Sequence, residues 1–564
     1  MSITSLPLEL LTHICEYLEP QDWGAFRITC RQIHDNTLEA YATRYFKTIS
    51  LLLTREGLDR LEHIAACNET LRGSVEEIWI IPTLLESWTH LDKVRFPSVD
   101  TTAPLVRWGR NPPIEEPGAI QAEFEALYSV FEATLKEHRA ILESGLFSAL
   151  EKCLPRLENA ITIGLRFYAT NFLLDIVKPS GFTCLGLCEL KSKFNYNLKI
   201  LPMFPQRFPF IPYNLAFTQL LNAIIKSSHE IQALHTCGLS HGGHDSCGMT
   251  LKSFQLPESQ YHLLLPLLKD LTTLHMCIRL KDHEQETFDE KTFKRLLNVL
   301  VTVAPTLKIL TFAQWSPIEE LSPLYFEDVS QRIQFSRLEE LHLHSIEVTV
   351  NSLEGFLRTA APTLKRLTLE LVSLVDGIKS PEKPDPGPLT EDSRSWVFSL
   401  SAEVKNDMQG LWKRVFESWA HHLKQAQYVQ LFNLGYRGRY VKLQDHLYTK
   451  RGQPNAQPSP SFNPSSFYFD AERATIPFQE WITQLQIEMW HPQLFGGRVL
   501  PGTSGINVRQ LGLGISRQVP AVCIFNPPQN VRLEPEEENR RIMAELIELS
   551  KRQRQIRLEQ EATR

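Results

Sequence analysis

The chain contains no apolar run long enough to cross a bilayer. Its closest approach, the uncharged stretch Phe208 to Ile225, is broken by Pro209, Pro212, Asn214, Gln219 and Asn222, whereas a spanning helix requires ~20 mostly apolar residues. A membrane partner is therefore not expected. Neither sign of charge dominates: 59 lysines and arginines stand against 65 aspartates and glutamates, a net of −6. So balanced a chain has no overall field to draw in a nucleic-acid backbone, and a nucleic-acid partner is not expected either. The ten cysteines follow no regular spacing, which argues against the disulfide framework of a small secreted fold. With no basic start and apolar middle at the N-terminus, a reducing intracellular compartment, cytoplasm or nucleus, is the expected home. The glycine stretches at Gly496 and Gly512 lack the Lys-Ser/Thr ending of a phosphate-binding loop, so nucleotide chemistry has no support and no cofactor is implied.

What the chain does have is length and apolar pattern. Its 564 residues, 43% of them hydrophobic, suffice for roughly three or four ordinary units or one long repeat array. The first forty-odd residues carry more apolar surface than so short a segment can bury by itself. Pro7 stands where the first turn of a helix tolerates a missing N–H, and Leu8, Leu11, Ile14 or Cys15, and Leu18 then repeat at helical spacing. Leu10, Ile14 and Tyr17 form a second, overlapping stripe, more than one core-facing side requires. Two faces imply two neighbours, one of them a separate partner. Pro20 is expected to stop this helix and Asp22 to cap a second. Trp23, Phe26 and Arg27 lead into a third run that begins near Cys30 and carries Ile33, Leu38 and Tyr41.

Taken in order, Leu6-Pro7, Glu9, Leu10, Leu11, Ile14, Tyr17-Leu18, Asp22-Trp23, Phe26-Arg27, Cys30-Arg31 and Ile33 resemble an F-box. Trp23 stands where leucine is commoner in that family, and Ile33 where an aromatic is common; both keep the apolar character. The resemblance implies that residues 1–47 dock on a Skp-type linker protein and through it on a cullin, with the rest of the chain recognising a protein to be ubiquitinated. It implies linker contacts from Leu6, Pro7, Leu10, Leu11, Ile14, Leu18, Trp23, Phe26, Cys30 and Ile33. An F-box protein that binds the linker but acts outside ubiquitination is the alternative within the family.

Beyond the module, strand and helix patterns alternate: Thr48 to Leu53 reads as strand, Glu56 to Ala65 as helix, Val75 to Ile81 as strand. The proline-rich Trp88 to Pro117 reads as a loop, and Ala122 to Cys153 as helix. Farther on the pattern repeats. Ala304-Pro305-Thr306-Leu307-Lys308-Ile309-Leu310-Thr311-Phe312 is echoed by Ala361-Pro362-Thr363-Leu364-Lys365-Arg366-Leu367-Thr368-Leu369, with Leu338-Glu339-Glu340-Leu341-His342-Leu343 between them and Leu271-Thr272-Thr273-Leu274-His275-Met276 upstream. Leucines at 307, 338 and 364 are spaced close to the ~20–29 residues of leucine-rich repeats. A helical run precedes each strand, and no such unit closes its own core. The expected fold is thus α/β: an N-terminal three-helix F-box, then an irregular leucine-rich-repeat-like solenoid with parallel inner strands over 48–379. Between the buried leucines, Glu340, His342, Arg366 and Thr368, with Ile309 and Thr311, should face outward. These mixed polar side chains are the expected contacts to a target protein.

Two segments rich in Pro, Ser and charge, 380–395 and 452–466, read as mobile loops. They flank terminal repeats or a capping region over 396–525, in which Pro477 to Met489 reads as helix, and 526–564 reads as a charged helix. Two possible chemistries compete with binding. Gly238-Leu239-Ser240-His241-Gly242 fits the G-x-S-x-G of a hydrolase elbow, but Gly243, Asp245, Ser246 and Gly248 make a poor following helix. Cys237, His241, His244 and Cys247 are spaced too tightly for one tetrahedral zinc site, so no metal is expected. The reading is of a non-enzymatic adaptor.

Overall fold

A computed structural model describes residues 6–82, 129–166, 184–193, 210–279, 289–314, 324–375, 402–444 and 466–489, with Ile3 and short interruptions at 19, 68, 131–132, 237–238, 241–242, 245–248, 433, 437–438, 473 and 475. Two compact units are distinguished. One comprises Met1–Ser87 and Ala133–Ile506; the other, Trp88–Glu132 and Asn507–Arg564, lies almost wholly outside the described residues. The loops expected at 88–117, 380–395 and 452–466 and the helix expected at 526–564 also lie outside the described residues, the last residue of the third loop, Ser466, excepted.

The first unit begins with three helices, α1 (Leu8–Glu16), α2 (Pro20–Arg27) and α3 (Arg31–Phe46). Pro7 is the residue before α1 rather than part of its first turn. Pro20 opens α2 instead of merely ending α1, as proline can at the first helical position, so Asp22 lies inside the helix it was expected to cap. Cys30 begins α3 as expected, its Sγ accepting the Ile33 N–H at 3.5 Å.

A twelve-stranded sheet follows, with β1 (Thr48–Leu52), β2 (Glu77–Ile81), β3 (Thr162–Leu165), β4 (Cys184–Leu185), β5 (Ala233–His235), β6 (Met249–Thr250), β7 (Thr273–Arg279), β8 (Ile309–Gln314), β9 (Glu340–His344), β10 (Arg366–Glu370), β11 (Tyr428–Phe432) and β12 (Ser466–Asp470). Its order is β12-β11-β10-β9-β8-β7-β5-β3-β2-β1-β4, with β6 beside β7. Every pairing is parallel except that of β12 with β11. Most strands therefore lie beside the next in sequence, and parallel neighbours need a crossover to return the chain, supplied here by helices such as Glu290–Val303 and Val350–Ala360. Thr349 and Ser352 cap the latter reciprocally.

Register explains the recurring leucines. Leu234, Leu274, Leu310, Leu341 and Leu367 stand opposite one another, and two residues on Met276, Phe312, Leu343, Leu369 and Leu431 do the same. All are buried, in one core with Leu296, Leu300, Leu353, Phe356, Trp412 and Phe416 from the helices. Strands β8 to β11 start in the same way. Two successive N–H groups, those of Ile309 and the residue before it, donate to the Thr272 carbonyl; Glu339 and Glu340 use Lys308, Lys365 and Arg366 use Glu339, and Gln427 and Tyr428 use Lys365. The echoed threonines act alike: Thr306 donates its hydroxyl to the Leu271 carbonyl at 2.9 Å and Thr363 donates to Leu338 at 2.8 Å.

The ends of β9 and β10 also correspond. Ser345 and Leu371 take φ values of 53° and 56°, and their N–H groups donate to Glu370 and Phe432 on the next strand. A second sheet then runs Glu347–Val348, Ser373–Leu374, Gly435–Tyr436, Arg439–Gln444, Gln486–Met489. The helix expected from Pro477 to Met489 is corrected: Phe478–Gln484 is helical, and the chain then turns extended to join this sheet. Ile487 is buried there, and the sequence Gln-Ile-Glu-Met alternates polar and apolar as a strand can.

Leu367 is enclosed on the leucine row, so Leu367→Ala should cost on the order of 2–5 kcal/mol through lost contacts and a cavity. Thr363→Val should cost about 1 kcal/mol. Urea midpoints check both, with a surface change at Glu339 as the reference; equal midpoints for all three would contradict the core assignment.

Candidate partner-binding surfaces

In the N-terminal module the second stripe of α1 and the interior separate cleanly. Leu11 and Cys15 are buried, Cys15 in one cluster with Trp23, Tyr41 and Tyr45. Trp23 meets Tyr41 edge-on at 5.6 Å and Tyr45 at 5.4 Å. Arg27 lies buried over the Tyr41 ring at 4.1 Å, with Nη2 3.1 Å from His34 Nε2. Burial holds its guanidinium below the ordinary range, partly offset by Tyr41. Arg44 donates to the Glu16 carbonyl at 2.9 Å, closing the C-terminus of α1. The module thus completes a core of its own.

Its surface is nevertheless apolar. Leu8, Leu10, Ile14 and Tyr17 are exposed along α1, Tyr17 to 78%, and Ile28 at the turn between α2 and α3 to 83%. Scattered exposed apolar residues need no explanation, but a contiguous stripe marks an interaction site. Residues 3–46 match the family model described as F-box-like. The N-terminal module is an F-box. No curated protein matches the chain. Of the F-box positions expected to touch a linker, Pro7, Leu10 and Ile14 are exposed and Leu6, Leu18, Phe26 and Cys30 half-buried. Leu11, Trp23 and Ile33 are interior, which corrects their assignment: they support the F-box face from beneath, because one stripe of α1 must fill the module's own core. Leu8 and Ile28 are exposed as well, although neither is among the expected contacts: Leu8 shares the helical spacing of Leu11 and Cys15, and Ile28 lies in a turn, where helical periodicity gives no signal.

The second surface is the sheet face opposite the leucine rows. Glu340 and Arg366 are register partners, their side chains 3.9 Å apart, and His342 stands opposite Thr368. The structure therefore does bring the four expected target-binding residues together. Arg366 is exposed and the others half-buried; Thr311, expected beside them, is buried. Glu370 lies 3.7 Å from His342 Nε2 and 3.5 Å from His344 Nε2.

Sequence reasoning also missed what lies in line with His342. The register joins Trp79, Gly164, His235, His275, Thr311 and His342 in one row. His235 and His275 stack at 4.3 Å with planes 13° apart, and Trp79 lies 4.8 Å from His235 under the Arg166 guanidinium. A Cβ on Gly164 would come within 2.5 Å of His235 Cβ, so only glycine lets Trp79 and His235 meet across that strand. The dipeptides Leu234-His235, Leu274-His275 and Leu341-His342 were the available signal.

Ser240 lies on a two-residue strand, Leu239–Ser240, paired antiparallel with Gly243–His244, not before the helix an elbow requires. Cys237, His241 and Cys247 lie outside the described residues. No described helix is long and apolar enough to cross a membrane.

Burial lowers His275 to about 4, with His342 adding to it; burial also lowers His138 to about 4, and burial, His275 and Arg166 hold His235 well below the ordinary range. An unfolded histidine protonates near pH 6.5, so between that value and about 4 the unfolded chain binds more protons. Stability is thus full above pH 6.5 and should fall toward pH 4, each group contributing on the order of 1 kcal/mol per pH unit. Urea midpoints across this range test it: His275→Phe should flatten the loss, and an unchanged slope would contradict it.

Proposed function

We propose that this protein is an adaptor of a Skp–cullin–F-box ubiquitin ligase. Its F-box hangs from a Skp-type linker, and through it from a cullin, while the sheet region presents a target protein. The observation that carries the reading is the exposed stripe of Leu10, Ile14 and Tyr17, with Leu8 and Ile28 also exposed, on a module whose core is already filled. Burying such a stripe against a partner is the main gain still open to it. The sheet supports a leucine-rich-repeat-like, solenoid reading of the remainder, since strands follow one another in chain order with the same start, the same threonine bond and the same leucine rows. Rigid strands present preorganised contacts at less entropic cost than loops. The row Glu340, His342, Arg366 and Thr368 is the target-facing part.

Leu10→Asp with Ile14→Asp should abolish linker co-purification and leave the urea midpoint unchanged, because neither side chain serves the interior. The pair Leu6→Ala and Pro7→Ala should weaken capture by disturbing entry into α1. Wild-type linker yield from the aspartate variant would overturn the docking assignment. With linker yield as the internal control, Glu340→Lys combined with Arg366→Glu should reduce recovery of the target, and undiminished recovery would move target binding off this row.

A further inference from the structure

The twelve-stranded sheet has two unequal ends. β4, at one of them, is two residues long, the kind of short edge that resists further pairing. β12, at the other, has five residues, Ser466-Phe467-Tyr468-Phe469-Asp470, and pairs with β11 alone among the described residues. Edge strands are commonly protected by lysine, proline or a bulge. β12 contains no lysine or proline and runs in unbroken register with β11. Its one charge, Asp470, stands last, with Oδ1 accepting the Glu472 N–H at 3.0 Å.

Hydrogen bonds fix which backbone groups face outward. The Tyr428 N–H points toward β10, donating to the Lys365 carbonyl, and the Ala471 N–H donates to the Gln427 carbonyl at 2.8 Å. Alternation then turns the N–H and C=O of Phe467 and Phe469 toward β11 and those of Ser466 and Tyr468 toward the outer edge. The Asp470 N–H faces outward with them, while its carbonyl accepts the Ala474 N–H at 2.8 Å. Side chains alternate as well: Phe469 is buried against Phe478 and Trp481, Phe467 is partly buried on the core, and Tyr468, on the opposite face, is 49% exposed.

In polarity β12 reads the same from either end about Tyr468: polar, three aromatics, polar. An antiparallel copy related by a two-fold axis at Tyr468 sets that ring opposite its own counterpart, each Phe467 opposite the other Phe469, and each Ser466 opposite the other Asp470. Aromatic side chains then meet across the strands on both faces, and no like charges are opposed. Parallel pairing in register would place the two Asp470 carboxylates side by side. We infer that β12 pairs antiparallel with the β12 of a second copy of this chain, joining two sheets across a two-fold axis at Tyr468. The pairing occupies the outward N–H and C=O groups and covers the part of Phe467 still exposed. It does not depend on the adaptor reading. Its consequence is two N-terminal modules and two sheet faces in one particle, so that a partner with paired sites is held by both.

The test measures particle mass by light scattering for the full-length chain, with and without the linker, at about 1 and about 100 μM, since pairing through one strand follows mass action. Two copies of the chain per particle are expected at the higher concentration. Tyr468→Pro removes an outward N–H at a place where an edge strand tolerates proline, and should raise the dimer dissociation constant at least about tenfold. Its urea midpoint at the lower concentration should match the wild type. Tyr468→Cys tests the axis itself: a hydrogen-bonded antiparallel pair has Cα atoms ~5.5 Å apart, within the ~4.4–6.8 Å that a disulfide spans. Oxidised glutathione should therefore link two copies through that position. Asp470→Cys lies four residues along the strand from its own counterpart and should not link. Both are scored above the wild-type baseline, because Cys188 is exposed. One copy per particle at both concentrations, a dimer that Tyr468→Pro leaves intact, or linkage absent from Tyr468→Cys overturns the inference. If Tyr468→Pro does not fold, the two cysteine variants decide. A single copy per particle whose target recovery is lost in Tyr468→Pro would assign the edge to an extended segment of the target and overturn pairing with a second copy.

Discussion

The arrangement depends on how α3 passes into β1. Only Lys47 separates the helix from the strand, and its carbonyl accepts the N–H groups of both Glu76 and Glu77 at 2.9 Å. Its ammonium meets Glu76 at 3.0 Å, and the neighbouring Phe46 packs against both the module's aromatic cluster and the sheet's core. A junction without slack carries position from one body to the next. On the adaptor reading proposed above, such a junction would fix a target bound to the sheet at a defined place relative to whatever grips the F-box. The same two-donor start recurs at β5 and from β7 to β11.

That register carries both faces. On one, alternate residues bring leucines into rows that the crossover helices cover; on the other, the intervening positions bring histidines, threonines and an ion pair together. One alternation, repeated in step, builds core and surface at once. The F-box divides its work similarly within one helix, since positions 11 and 15 fill the interior and 10, 14 and 17 stay outside.

Much of this was legible in the sequence. The leucine echoes located the parallel strands and the helices before them, because period and register are local consequences of side-chain alternation. The module's outline was legible from typed positions in order. The direction of each stripe on α1 was not, since two overlapping apolar stripes look alike until Trp23 and the α3 tyrosines choose one. Nor was the extended end at Gln486–Met489, where pairing with Arg439–Gln444 overrides a helical pattern. The imidazole row escaped notice because its members are tens of residues apart and meet only through register. His235 and His275 look like isolated polar residues until strands β5 and β7 lie side by side.

The most direct test of the adaptor account is amide hydrogen exchange of the full-length chain with and without a purified Skp-type linker. The account predicts slowed exchange along Leu8–Glu16 and around Ile28, with the strands from Thr273–Arg279 to Tyr428–Phe432 unchanged. Protection confined to those strands, or no protection at α1, would contradict it.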